Sequence, residues 1–113
     1  MEIVPLPERM VTQFGSHHVL MTLAADVTGS ARVAIRMARF ASSGMLGRHM
    51  APTWQVFTVL SGSGWVAGDD GERTSIGPGQ AVIWGPGEQH ESGADERMTA
   101  LIVESAGRPA AGR

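Results

Sequence analysis

A chain of 113 residues with no cysteine, no lysine and no tyrosine suits one domain. It excludes disulfides, thiol nucleophiles, Cys-based zinc sites, Schiff-base lysines and phenolic acids, leaving four His, eleven Asp/Glu and nine Arg as ionisable groups. A net charge of −2 with mixed signs argues against nucleic acid, and no apolar run approaches the roughly 20 residues of a membrane span.

The start, MEIVPLPERM, lacks the basic head and apolar core of a signal peptide, so a cytoplasmic protein is expected. Residues 1–15 contain proline and are weakly patterned, which suits an arm or an edge strand. Residues 19–23 form a candidate strand. Residues 31–40 form a stronger one, where Val33, Ile35 and Met37 alternate with Arg32, Ala34 and Arg36. Arg39 shares the phase of the apolar set, where a charge suits a ligand anion, whereas Arg36 reads as solvated. Residues 56–60 are apolar on both faces, as a strand between two layers is. Residues 64–68 followed by DDG at 69–71 read as a hairpin. Residues 80–84 and 98–104 complete the strands, and residues 107–113 read as a loose tail. No stretch has a 3.6-residue period. Short strands between turns, with fifteen Gly and six Pro, indicate an all-β sandwich or barrel.

Two stretches carry a more specific pattern. In the first, His49 is followed by Ala51, Gln55 and Gly62. In the second, Gly79 is followed by Gly85, Gly87, His90 and Ala94. The spacings resemble the two motifs of the cupin superfamily, G(X)5HXH(X)3-4E(X)6G and G(X)5PXG(X)2H(X)3N. His49 matches the first histidine, Gly62 the closing glycine, and Gly79, Gly87 and His90 their counterparts. The departures are Ala51 for the second histidine, Gln55 for the glutamate, Gly85 for the proline and Ala94 for the asparagine. Gly44 lies one residue from the opening glycine. The chain thus resembles a small single-domain cupin with a degenerate first motif, over roughly residues 15–105.

This resemblance implies a double-stranded β-helix, a jelly-roll barrel over residues 16–106 with little or no helix. It also implies that the motif residues converge inside the barrel, where cupins bind a divalent metal through three His and one Glu. Here His49, Gln55 and His90 are the surviving candidates. Imidazole suits Zn, Ni and Fe, and Mn accepts oxygen donors, but an amide oxygen brings no charge. Phe57, Trp84, Arg39 and Met37 are the candidate pocket residues. Glu88 and Glu91 flank His90 and read as loop residues that could reach the site. The adjacent His17 and His18 point to opposite faces of a strand and suit a surface role.

Three functions remain open. One is a metal-dependent enzyme of isomerase, cyclase or lyase type, in which the metal is a Lewis acid toward a small organic substrate. Another is a metal-free binding or sensor barrel, and the third is acid–base catalysis by His49 or His90. A homodimer is expected, with residues 1–24 packing on the partner's sheet.

Overall fold

In the computed structural model, residues 1–29 and 31–109 are described. Seven strands follow in chain order: β1 Glu8–Met10, β2 His17–Val27, β3 Val33–Met50, β4 Trp54–Ala67, β5 Thr74–Ile76, β6 Ala81–Trp84 and β7 Gln89–Ser105. The described residues contain no α-helix, only a 3-10 turn at Gln13–Gly15. All pairings are antiparallel, and the order is β1-β2-β3-β7-β4-β5, with β6 also on β4. The expected all-β jelly-roll is the observed fold. No helix among the described residues is long and apolar enough to cross a membrane.

The strands are longer than the sequence reading because three of them bend from one layer into the other. Residues 33–40 of β3 pair with 98–105 of β7, and residues 45–50 pair with 89–93. β4 bends likewise, its first half on the far half of β7 and its second half on the near one. The bends need glycine. At Gly62, φ is +79°, and an added Cβ would lie 1.9 Å from the Arg97 carbonyl. The expected hairpin at residues 64–71 forms, with β5 folding back on Gly64, Trp65 and Val66.

The core lies between the layers. Phe57, Val59, Met98, Ala100 and Val19 are almost wholly buried there. Phe40 and Trp84 each meet Phe57 edge-on, with centroids at 6.1 and 5.8 Å. On β3 the inward residues are Ala34, Ala38 and Phe40, whereas Val33, Ile35 and Met37 face outward and are half-buried. The apolar phase read from residues 31–40 is therefore the outer one. Ala34 and Ala38 face inward with Phe40, and the larger apolar Val33, Ile35 and Met37 cover the outer sheet.

Residues 17–24 pair within the chain's own sheet, β2 lying between β1 and β3. They are not a free edge for a partner. The exposed apolar residues near the start are Met1, Ile3, Val4, Leu6 and Met10. The end of the expected tail, residues 110–113, lies outside the described residues.

Candidate functional site

His49 reaches the interior because of a bulge. Leu46 pairs with Ser92 and His49 with His90, so three steps on β3 match two on β7. Without the extra residue, alternation would turn Arg48 inward and His49 outward. Gly47 sits in the bulge beneath the Phe14 carbonyl, where an added Cβ would lie 1.6 Å from that oxygen. Its N–H donates to Ser16 Oγ at 2.9 Å, and its carbonyl accepts from His49 Nδ1 at 2.7 Å. A carbonyl only accepts, so Nδ1 carries the proton and Nε2 keeps its lone pair.

Phe14, with φ at +59°, stacks on His49 at 4.3 Å and 8° between planes. His90 lies on the other strand of the pair, 4.3 Å from His49 between ring centroids. Trp84 packs on His90 at 4.5 Å. His90 is 4% exposed, and its Nδ1 is shielded from solvent without a hydrogen bond. Burial, then the neighbouring His49, push its pKa down to about 4, against a small opposing effect of the Glu88 backbone. At neutral pH His90 is an uncharged donor.

Gln55 comes from the other layer. It pairs with Trp84 on β6 and Glu104 on β7, and it is buried. His49, Gln55, His90 and Phe57 line one cavity of about 200 Å³ between the layers. Trp84 lies behind His90 rather than on the cavity wall. Arg39 and Met37 are not part of it. Arg39 is outward and ion-paired with Glu8, and Met37 points to the outer face. Both departures have the same cause, the inverted phase of β3.

That inversion turns Arg36 inward, where the sequence had it solvated. Arg36 lines the cavity with its Nη1 3.0 Å from Glu104 Oε1. Ser16, Phe14, Arg9 and Ser92 also line it, and no motif spacing marks them. The signal for Arg36 was present as the counter-phase of Val33, Ile35 and Met37, but periodicity alone does not say which phase is inside.

Glu88 and Glu91 do not join the site. Glu88 Oε1 accepts from the Gly85 N–H at 3.1 Å, and Glu91 lies 3.9 Å from Arg48. His17 and His18 are exposed, at a bulge of β2. Ala51, at the place of the second motif histidine, is fully buried and bonded through its backbone to Gly87 and Glu88. Among the described residues no group of three His, Asp or Glu could hold a metal, so a cation would depend on Gln55 as third donor. A larger, more open groove of about 610 Å³ runs along β4–β6, lined by Asp69, Asp70 and Glu72, and contains none of the four histidines.

Compared by sequence, the chain matches no protein-family model and none of the curated proteins. Solved structures are similar in shape. The polyketide cyclase RemF from Streptomyces resistomycificus superposes with a TM-score of 0.77 at 23% identity, over 97% of this chain and 82% of that one. A cupin-2 domain protein from Rhodospirillum rubrum gives 0.75 at 16%, over 94% and 72%. KdgF from Halomonas sp. gives 0.73 at 17%, over 90% and 89%. The jelly-roll topology, the inward-facing histidine of each motif and these superpositions agree, and the chain is a small barrel of the cupin fold.

Proposed function

We propose that the barrel binds a small organic ligand in the cavity between its layers, against His49, Gln55 and His90, with a weakly held divalent cation at these three donors. The observation that supports the reading most is the shared cavity, with two imidazoles 4.3 Å apart on paired strands and an amide from the opposite layer.

The residues fit a cation in part. The Nδ1 proton of His49 is committed to the Gly47 carbonyl, the arrangement that orients metal-bound imidazoles. His90 is neutral and has a shielded nitrogen without a partner. Gln55 adds an oxygen but no charge, so affinity falls below that of a site with a carboxylate. Zn or Ni suits this set better than Mn or Fe. When bound, the cation would act as a Lewis acid toward a ligand carbonyl or hydroxyl, which suits cyclase, isomerase or lyase chemistry. The chain's own part is to orient His49 through Gly47, to keep His90 unprotonated, and to exclude water with Phe14 and Trp84.

Titration of the metal-free protein with Zn and Ni tests this. Binding in the micromolar range, lost in His49→Ala and His90→Ala, is the expected result. No binding by the wild type rejects the cation. The second reading, a metal-free binding barrel, then stands, and the uncharged Gln55 and the cationic Arg36 in the same cavity favour it.

A further inference from the structure

The cavity holds charges that the His49–Gln55–His90 face does not use. Arg36 pairs across the sheet with Ile102, and Glu104, two residues further on β7, pairs with Gln55. A row of Arg36, Glu104 and Gln55 therefore crosses the inner face of one layer, opposite the layer that carries His49 and His90. Arg36 Nη1 lies 3.0 Å from Glu104 Oε1, yet the contact lacks hydrogen-bond alignment and Nη1 is shielded from solvent. A shielded N–H without an aligned acceptor is costly until one meets it. Arg9 also lines the cavity, so two cations and one carboxylate leave it a formal charge of +1, in a chain whose net charge is −2. The walls beside Arg36 are apolar, with Phe57 and Ile102 buried. Guanidinium prefers planar oxygen pairs, which carboxylates offer.

We propose that Arg36 sets the specificity of this cavity and that its ligand is a small organic carboxylate, with the acid group at Arg36 and the remainder directed toward His49 and His90. The inference rests on the cavity being the ligand site, and does not require the cation. Glu104 occupies Arg36 in the absence of ligand and competes with it.

Benzoate is the probe, since one ring and one carboxylate suit about 200 Å³, and benzamide is its neutral isostere. Calorimetric titration of the wild type is expected to show benzoate bound at least tenfold more tightly than benzamide. Arg36→Gln should erase that preference while leaving benzamide and Zn binding no weaker. Glu104→Gln removes the internal competitor and should tighten benzoate several-fold, a change of opposite sign that holds the inference testable if Arg36→Gln does not fold. Equal affinity for the two probes in the wild type, no benzoate binding, or weaker benzoate binding in Glu104→Gln would overturn the inference. A benzoate preference that persists in His49→Ala, together with lost Zn binding, supports Arg36 whether or not the cation matters to the ligand. Zn bound through His49 and His90 with no carboxylate preference overturns Arg36 alone.

Discussion

Gln55 is the residue at which the metal reading is decided. Its neutral amide sits where the cupin motif has a carboxylate, so Gln55→Glu adds one negative charge opposite a divalent ion. In a partly screened cavity that attraction is on the order of 1 kcal/mol or more. Zn affinity of Gln55→Glu, measured by competition with a chromogenic chelator, should therefore rise several-fold. Unchanged affinity would place Gln55 outside the donor set. His90 carries a second expectation at this scale. Its folded pKa, about 4, lies below the ordinary value of 6.5. As pH falls from about 6.5 the unfolded chain takes up this proton and the folded chain does not, so stability is complete above that range and declines toward pH 4. Allowing for solvent at the cavity mouth, the loss is about 2 kcal/mol. Urea unfolding of the metal-free protein between pH 7.5 and 4.5 should show this decline, and His90→Gln should flatten it. Parallel declines in the two proteins would mean that other groups cause it.

At the scale of the element, the bulge of β3 matters more than the strand's length. It turns His49 inward, and Gly47 makes it possible by allowing the Phe14 carbonyl to approach. Gly47→Ala forces a methyl into that carbonyl. The turn at Gln13–Gly15 must move, and Phe14 leaves the face of His49. A stability loss of about 2 kcal/mol or more is expected, the usual scale for overpacking, together with weaker Zn binding. Thermal unfolding and Zn titration of the variant check both. Wild-type behaviour in each would show that the N-terminal turn does not hold the site. Gly44→Ala is no neutral control, because its added Cβ would lie 2.5 Å from the His18 carbonyl. Gly77→Ala is the better one, having open space around the new methyl and no positive φ.

For the whole molecule, the outer face of one layer stands out. Ile35 on β3, Val103 on β7, Val56 on β4 and Ile83 on β6 are successive register partners in one apolar row. Met37 and Leu101 begin the row beside it. An apolar row on an outer sheet face favours association with a second copy of itself. The homodimer expected through residues 1–24 has β2 paired on both sides within the chain, and we propose instead that this face, with the exposed residues Ile3, Val4 and Leu6, meets the second copy. Light scattering should give twice 11.9 kDa at micromolar concentration. Val56→Glu should shift the mass to that of one chain without unfolding it. A monomeric wild type would leave this face without a partner of its own kind.

Turn glycines and short alternating strands are local features and indicated an all-β sandwich or barrel, and the likeness of the His49–Gly62 and Gly79–His90 spacings to the cupin motifs implied the jelly-roll. That likeness also implied His49, Gln55 and His90, and alternation with Gln55 added Phe57; all four line one cavity. Alternation in residues 31–40 marked two phases, and only tertiary structure decided which is inside. Arg36 lines the cavity and Ala34, Ala38 and Phe40 face the core, while Met37 and Arg39 face out, and Glu104 on a distant strand gives the inward Arg36 a counter-charge. Phe14 and Gly47 were silent for the same reason. Their importance is a contact across 33 residues of chain, between a turn and a bulge that neither local pattern contains.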